Sequence, residues 1–224
     1  MSIRAPLIPP GTVLRSFTGK IAMSDRMSQK QVRRQKLLSR LAAVFWGVML
    51  GLRARQAIAG DWMAMLLALQ AALVAFRLVD RRLPVSEASP GWRAFAWTDA
   101  LLPAAYVSAG SELISIRLGE ILAAAGIFIS LWAILSLGNA FGIAPADRGL
   151  VTGGPYQLIR HPAYAGELLN FLAYGLTHRN TWNTVLTLIL IAAMVARILV
   201  EERQIEGYPE YAQRVRWRVL YGVW

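Results

Sequence analysis

The sequence contains no cysteine and only two histidines, and these shortages exclude several kinds of site. Without cysteine there is no disulfide framework, no cysteine-ligated zinc or iron–sulfur centre and no thiol nucleophile. His161 and His178 are too few for a multi-histidine metal cage, so no metal is expected. Acidic residues are also scarce, because 13 Asp and Glu stand against 24 Lys and Arg, which gives a formal net charge of +11. The chain is therefore strongly basic.

Apolar residues, by contrast, are abundant. They make up 56% of the 224 residues, and the mean hydropathy is +0.42, which is too apolar for a soluble domain of this length. A helix needs about 20 mostly apolar residues to cross the hydrocarbon of a bilayer. The candidate spans are residues 41–59, 62–79, 94–110, 121–138, 163–177 and 181–200. We therefore predict an all-α, polytopic transmembrane bundle of about six helices.

The run 41–59 is the weakest of these candidates. Arg53 and Arg55 shorten its uncharged stretch to about a dozen residues, a length that also suits a re-entrant or interfacial segment. A bundle of about five spans is therefore the alternative.

The basic residues are distributed unevenly over the predicted topology. Residues 1–40 alone carry nine Lys and Arg but a single acid, Asp25. When six spans are threaded from a cytoplasmic N-terminus, 19 basic residues fall on the cytoplasmic side and four on the other. This asymmetry follows the positive-inside rule, so both termini are predicted to be cytoplasmic.

Charge and hydropathy together divide the chain into three regions. Residues 1–36 are predicted to form a basic cytoplasmic tail, residues 37–117 the N-terminal transmembrane helices, and residues 118–224 a C-terminal core. A basic tail can bind anionic lipid or nucleic acid. Lipid is favoured and no nucleic-acid partner is expected, because the tail lacks interleaved aromatic residues for base stacking.

The most informative polar residues surround the start of the fifth predicted span. Pro162 suits the first position of a helix, which makes His161 the N-cap and leaves a positive dipole end beside it. Arg160 adds a planar cation that can grip a carboxylate or phosphate at two points. His161 and Tyr164 share one helical face. Taken singly, His161 could also be a satisfied cap and Arg160 a positive-inside charge.

Acidic residues in or beside the spans form a second set of candidates. Glu201 and Glu202 follow the last apolar run and point about 100° apart on a helix, so one can face the bundle and the other water or a basic partner. They could also simply end a span at the interface. Asp99 and Glu167 lie inside predicted spans, where a charge is costly and is either functional or paired. Glu167 and Asn170 could line a substrate tunnel, but for Glu167 pairing with an arginine from another span is favoured.

The combination of these residues resembles a known family. The string G-P-Y-x-x-x-R-H-P-x-Y-x-G at residues 154–166, followed one span later by Glu201 and Glu202, is similar to the integral membrane methyltransferases. That superfamily includes isoprenylcysteine carboxyl methyltransferase and phospholipid N-methyltransferase. The Tyr-Pro-Glu-Tyr at residues 208–211 and the basic segment after it resemble the C-terminal segment of the same group. The resemblance covers about residues 118–224.

The resemblance implies S-adenosyl-L-methionine as cofactor, bound at the cytoplasmic end of the last helices. The sequence agrees in lacking a strand followed by G-x-G-x-x-G, so no Rossmann domain is expected. Carried over from the family, the cofactor-binding residues would be Gly154, Tyr156, His161, Pro162, Tyr164 and Glu202. The reacting end, where a substrate enters from the bilayer, would contain Arg160 and Glu201 as catalytic residues.

The predicted function is methylation of a lipidic or lipid-soluble acceptor at the cytoplasmic membrane face. O-methylation of a hydrophobic carboxylate is favoured, because the R-H-P-x-Y-x-G string with Arg160 resembles the carboxyl methyltransferase pattern more closely; Arg160 would then orient the carboxylate. One alternative is N-methylation of a phospholipid amine, for which Glu201 would remove the proton. Another is a non-enzymatic membrane protein that binds lipid or a partner. In the enzymatic cases, Tyr156 and Tyr164 could hold the sulfonium by cation–π attraction.

Overall fold

The computed structural model describes residues 29–224. Residues 1–28, the greater part of the predicted basic tail, lie outside the described residues, whereas residues 29–36 already belong to the first helix. The described chain forms seven α-helices, in the order α1 (Gln29–Ile58), α2 (Trp62–Asp80), α3 (Pro90–Leu101), α4 (Ile116–Leu137), α5 (Pro162–Thr177), α6 (Thr181–Gln204) and α7 (Tyr208–Arg214).

Regular sheet within residues 29–224 is limited to two very short strands. These are β1 (Ser86–Glu87) and β2 (Ala146–Asp147), which pair antiparallel with Ser86 opposite Asp147. The prediction of an all-α bundle without a Rossmann domain is therefore confirmed for the described part of the chain. The small ribbon matters because it fixes the loop that follows α4.

Four helices of the described chain are long and apolar enough to cross a membrane. They cover Val32–Ile58, Trp62–Asp80, Ile116–Ala140 and Thr181–Gln204. The run at 41–59, the weakest candidate in the sequence, thus belongs to the longest helix. The other two predicted spans are helical but short, since α3 has 12 residues and α5 has 16. At 1.5 Å per residue neither reaches the thickness of the hydrocarbon layer, about 30 Å.

The predicted span 94–110 is interrupted where α3 ends. Pro103 lies in a 3₁₀ turn, Leu102–Ala105, and the chain then continues without regular structure. Asn183 of α6 holds this irregular backbone, because its side-chain oxygen accepts from the Val107 N–H at 3.1 Å and its Nδ2 donates to the Val107 carbonyl at 2.8 Å. Such backbone is tolerated in membrane proteins where other protein groups satisfy it.

Helix starts follow the local sequence rules. Asp61, Ser115 and Asn180 each accept a hydrogen bond from a backbone N–H in the first turn of α2, α4 and α6. At α5, Pro162 stands in the first turn and His161 is the N-cap residue, as the sequence predicts. The His161 side chain makes no capping hydrogen bond, so its ring is available to the groups that surround it.

Helices α4 and α5 approach closely through glycine. A Cβ on Gly126 would lie 2.6 Å from the backbone oxygen of Gly166, so neither position has room for a larger residue. Small residues of this kind allow the backbone contact on which helix association in membranes depends. The close approach holds the start of α5, with Arg160 and His161 before it, against the bundle.

A buried ion pair ties α3 to α6. Arg197 Nη1 lies 2.8 Å from Asp99 Oδ2, and Arg197 Nη2 donates to the carbonyl of Ile143 at 2.9 Å. Both side chains are buried. Asp99 is therefore paired, which is one of the two outcomes that the sequence allows for an acid in a span.

Candidate functional site

The candidate site lies where the loop before α5 meets the C-terminal segment. The backbone N–H of Arg160 donates to the carbonyl of Trp217 at 2.8 Å, and that of His161 donates to the carbonyl of Arg218 at 2.8 Å. These two bonds lay the segment after α7 across the start of α5. The end of α6, which carries Glu201 and Glu202, completes the arrangement.

Glu202 is the centre of a cluster of charged and hydrogen-bonding side chains. Arg218 approaches it with two nitrogens, Nε at 2.9 Å and Nη2 at 3.0 Å. Arg160 Nη1 lies 3.1 Å and His161 Nε2 3.3 Å from its Oε1, and the Tyr208 hydroxyl donates to the same oxygen at 3.1 Å. Four partners on one carboxylate tie the loop, α6, α7 and the C-terminal segment together.

Tyr208 also contacts the imidazole in this cluster. Its hydroxyl lies 2.9 Å from His161 Nε2. Burial, with the negative charge of Glu202 as a further cause, raises the pKa of Tyr208 well above its ordinary value. The phenol therefore keeps its proton and remains a hydrogen-bond donor to Glu202.

Glu201 faces a different direction from its neighbour. Its Oε1 accepts a hydrogen bond from the Tyr164 hydroxyl at 2.7 Å, and its Oε2 lies 4.0 Å from His161 Nδ1. The helical offset between adjacent residues thus separates two roles, because Glu202 is enclosed by basic groups whereas Glu201 lines a cavity.

The cavity has a volume of about 440 Å³ and runs from this polar end into the helices. That volume lies within the range of about 300 to 1,000 Å³ that is usual for small-molecule sites. Its other walls are mostly apolar and come from several helices; they include Trp46, Met49, Val74, Leu137 and Ile143. One continuous space therefore joins charged groups to a hydrophobic interior.

Five of the eight site residues predicted from the sequence line this cavity. They are Tyr156, Arg160, His161, Tyr164 and Glu201. The other three do not. Gly154 has a φ of +61° and begins a 3₁₀ turn, where a Cβ would lie 2.5 Å from Ser136 Oγ. Pro162 is buried in the first turn of α5, and Glu202 is held in the ion cluster.

Sequence reasoning missed further polar residues of the cavity wall. They include Arg148, Arg197, Tyr208 and Tyr211. Asp99, Glu167 and Asn170 also line the cavity. The sequence offers Glu167 and Asn170 for a substrate tunnel, although for Glu167 it favours pairing with an arginine. No local pattern points to Arg148, because a loop carries it into place.

Tyr156 and Tyr211 form the aromatic part of the polar end. The Tyr211 hydroxyl donates to the backbone carbonyl of Tyr156 at 2.6 Å, and burial raises the pKa of Tyr211 to about 12. Other aromatic faces are covered by cations, because the Arg197 guanidinium lies 5.0 Å above the ring of Tyr164 and Arg160 lies 5.9 Å from that of Tyr208.

The donor set of the site suits an organic ligand with both polar and aromatic parts. Three guanidinium nitrogens of the cavity wall, the Nε atoms of Arg148, Arg160 and Arg197, are buried without a hydrogen-bond partner in the described chain, and Glu201 supplies an acceptor in the same cavity. These groups fit a molecule such as S-adenosyl-L-methionine, which carries a carboxylate, an amine, hydroxyls and an aromatic base. Within residues 29–224, no group of three or more His, Cys, Asp and Glu is arranged to hold a metal ion.

Comparison with known proteins gives one family-model match and several relatives. Residues 114–208 match the family model for phospholipid methyltransferase. The human phosphatidylethanolamine N-methyltransferase is 32% identical over 100 residues, which cover 45% of this chain and 48% of the relative. The phosphatidylethanolamine N-methyltransferase A of Dictyostelium discoideum is 30% identical over 66 residues, 30% of each chain.

A third relative has a name that refers to metal resistance. The cobalt-zinc-cadmium resistance protein CzcN of Cupriavidus metallidurans is 38% identical over 72 residues, which cover 31% of this chain and 33% of the relative. The chain thus spans about half or less of the length of the curated relatives it matches. The matched region, residues 114–208, contains the start of α5 and the acid pair of α6, and in this region the chain is similar to the phospholipid methyltransferase family.

Proposed function

We propose that this protein transfers methyl groups from S-adenosyl-L-methionine to the amine of a phospholipid headgroup. The observation that carries the proposal is Glu201, a carboxylate oriented by Tyr164 inside a cavity with apolar walls. The matched family and the two phosphatidylethanolamine N-methyltransferases support the same choice of acceptor.

The contacts of Arg160 favour an amine over the carboxylate acceptor expected from the sequence. The sequence makes Arg160 the candidate for orienting a carboxylate, but its Nη1 is paired with Glu202 at 3.1 Å and its Nη2 donates to the carbonyl of Arg216 at 3.2 Å. The charge of Arg160 is thus neutralised by Glu202, and two of its nitrogens are already engaged. The guanidinium therefore attracts a second carboxylate only weakly. Glu201, in contrast, would repel an anionic acceptor and attract a cationic one.

An amine acceptor requires a base, and Glu201 is placed to act as one. An ammonium group must lose a proton before its nitrogen can attack a methyl carbon. Tyr164 holds one oxygen of Glu201, which orients the carboxylate and leaves its second oxygen for the proton. The bound cofactor would supply an electrophilic methyl group on a sulfonium. The protein would then contribute mainly alignment of the two reactants and exclusion of water.

The lining of the cavity reduces the number of residues that we propose to contact the cofactor. We keep Tyr156, His161 and Tyr164 as residues that contact the cofactor, because they line the cavity. Gly154, Pro162 and Glu202 are proposed to shape the site instead, through the turn, the helix start and the ion cluster that they form.

The membrane arrangement of the proposed enzyme follows from charge and helix length. The four long apolar helices make a multi-pass integral membrane protein. We propose that both termini face the cytoplasm, as the positive-inside rule predicts, and that the lipid acceptor enters from the bilayer between the apolar walls. The region 37–117 would then form a wall of the cavity, and 118–224 the methyltransferase core.

The function can be tested with purified protein in mixed micelles of detergent and phosphatidylethanolamine. With a methyl-labelled cofactor, we expect label in mono-, di- or trimethylated phosphatidylethanolamine, separated by chromatography. Micelles that contain a prenylated cysteine carboxylate serve as the competing substrate. Label in that carboxylate and none in the phospholipid would favour O-methylation. Label in neither, together with no stabilisation by S-adenosylhomocysteine, would support a non-enzymatic protein.

The role of Glu201 has its own test. Glu201→Gln should lower kcat for phosphatidylethanolamine by about 100-fold or more, which is the usual contribution of a general base. Stabilisation by S-adenosylhomocysteine should persist, because the amide has nearly the same shape. Glu210→Gln is the matched control, since Glu210 is exposed on α7. An equal loss in both variants, or none in Glu201→Gln, would remove Glu201 from the reaction.

A further inference from the structure

Arg148 is a buried cation in the cavity whose charge is not neutralised by an ion pair within residues 29–224. Its side chain is 7% exposed and lines the cavity. Its one hydrogen bond in the described chain is a long contact of 3.5 Å from Nη1 to the carbonyl of Ala144, and its Nε has no partner there. Arg160 and Arg197, the other buried guanidinium groups of the cavity, each have a carboxylate partner.

The neighbouring acid is engaged elsewhere. Asp147, the last residue of β2, uses its carboxylate to accept from the backbone N–H of Gly149 at 2.8 Å and from that of Glu206 at 3.3 Å. These bonds fix the turn that carries Arg148 toward the cavity. Because the carboxylate of Asp147 accepts these backbone hydrogen bonds, it is not available as an ion-pair partner for Arg148.

The position of the guanidinium is further defined by Gly142. A Cβ on Gly142 would lie 2.8 Å from Arg148 Cζ, so the glycine provides the space in which the side chain rests. Pairing of β1 with β2 anchors the turn from the other side. The position of the Arg148 guanidinium is therefore fixed by the surrounding backbone and not by an ion pair.

A buried guanidinium without a counterion requires an anion. Burial lowers the pKa of Arg148 to about 10, and the group is still protonated at neutral pH. Leaving a charge unpaired in such an environment is costly. A ligand that brings a negative group to this point would remove that cost, and the planar fork of arginine binds phosphate at two points.

We propose that Arg148 binds the phosphate of the lipid headgroup whose amine is methylated. This inference rests on the proposed function. To the contact between the substrate amine and Glu201 it adds a second contact, between the headgroup phosphate and Arg148. Arg148 and Glu201 line the same cavity, and the field of Glu201 acts on Arg148. A zwitterionic headgroup carries an anion and a cation close together, so its phosphate can meet Arg148 while its amine meets Glu201. The apolar walls then receive the acyl chains.

The assignment makes Arg148 a determinant of substrate specificity. Phospholipid amines should be preferred over long-chain amines that lack a phosphate, because only the former contact both charges. The cofactor carboxylate is the other anion that could meet Arg148, and the test below separates the two.

The experiment compares Arg148→Gln and Arg148→Lys with wild type and with Arg203→Gln, an exposed arginine at the end of α6. Each protein is assayed with short-chain phosphatidylethanolamine and with sphingosine, a long-chain amine without phosphate. Arg148→Gln should raise KM for phosphatidylethanolamine by about tenfold or more, the loss expected for a charge-assisted hydrogen bond. KM for sphingosine and the binding of S-adenosylhomocysteine should change less than about twofold. Arg148→Lys should recover part of the phospholipid affinity, and Arg203→Gln should resemble wild type.

Two outcomes would overturn the assignment. If Arg148→Gln weakens S-adenosylhomocysteine binding and leaves KM for phosphatidylethanolamine unchanged, Arg148 holds the cofactor. If both amines lose affinity equally, its role is structural. The melting temperature of Arg148→Gln should be at or above that of wild type, because an unpaired buried charge has been removed.

A binding measurement separates this inference from the proposed reaction. Dihexanoyl phosphatidic acid, which has a phosphate but no amine, should stabilise wild type against heat and should not stabilise Arg148→Gln. Dihexanoylglycerol and inorganic phosphate are compared at the same concentration. Stabilisation by the phosphate lipid alone supports the site even if no amine is methylated. Equal stabilisation of wild type and Arg148→Gln by that lipid would overturn it, and so would an equal effect of inorganic phosphate.

Discussion

The two halves of the described chain bury different kinds of side chain. In residues 32–113 the buried polar or charged residues are Ser39 and Asp99, and the rest of the buried set is apolar. In residues 114–224 the buried polar or charged residues are Ser130, Asp147, Arg148, Arg160, His161, Thr177, Asn183, Thr187 and Arg197. The first half thus contributes walls, and the second half contributes the groups that can do chemistry.

The difference explains why the family match is confined to residues 114–208. A wall that faces lipid on one side and a hydrophobic cavity on the other can be built from many apolar sequences. A cluster in which every charge needs its partner constrains the residue type at each position. Substitutions that remove a charge or fill a close contact in either half test this difference.

The largest effect is expected at Asp99, the one buried acid that the first described half contributes. Asp99→Ala should lower the free energy of unfolding by about 3 to 5 kcal/mol, because Arg197 would be left buried without its partner. Thermal unfolding in detergent measures the loss. The double variant Asp99→Ala with Arg197→Met should recover a large part of it, since no charge remains unpaired. Equal melting temperatures for wild type and Asp99→Ala would show that the pair does not join the halves.

A smaller loss is expected at Glu202. From the sequence alone, Glu202→Ala should abolish cofactor binding and leave folding intact, because a carboxylate at the end of a span is dispensable. The structure predicts a loss of stability instead, by about 2 to 3 kcal/mol, since Arg160 and Arg218 would lose their shared partner. Glu210→Ala, on the exposed side of α7, is the control and should melt like wild type. A Glu202→Ala protein with an unchanged melting temperature but no affinity for S-adenosylhomocysteine would restore the first expectation.

The smallest effect distinguishes glycines of the two halves. Gly126→Ala should destabilise the protein by about 1 to 2 kcal/mol, because the added methyl group meets the backbone of α5. Gly47→Ala should leave stability unchanged or raise it by up to about 1 kcal/mol, because nothing lies within 4 Å of the added atom and alanine favours a helix. Melting temperatures that fall equally in both variants would contradict the close approach of α4 and α5.

Much of the fold could be predicted from hydropathy and capping rules. The apolar runs at 62–79, 121–138 and 181–200 lie in helices that are long and apolar enough to cross a membrane, and Pro162 places the start of α5. The run at 94–110 failed as a span because hydropathy measures composition and not continuity. Its backbone leaves the helix after α3 and is satisfied by Asn183, a partner 76 residues away.

The candidate site could be predicted only in part. The resemblance to the membrane methyltransferases pointed to five residues that line the cavity, including Glu201. It could not show that Glu202 is enclosed by arginines or that Arg160 is thereby engaged. Nor could it single out Arg148, whose burial depends on the pairing of β1 with β2 and on the space at Gly142.

The sequence by itself determined that this chain is a helical membrane protein and that it resembles the membrane methyltransferases, because hydropathy, helix caps and the R-H-P-x-Y-x-G string are local properties. The tertiary structure decided which charges are paired and which are available to a ligand. Pairing depends on distances between residues far apart in the chain, such as 98 positions for Asp99 and Arg197 and 16 for Glu202 and Arg218. Electrostatic interaction falls off with distance in space, and no pattern along the sequence reports that distance.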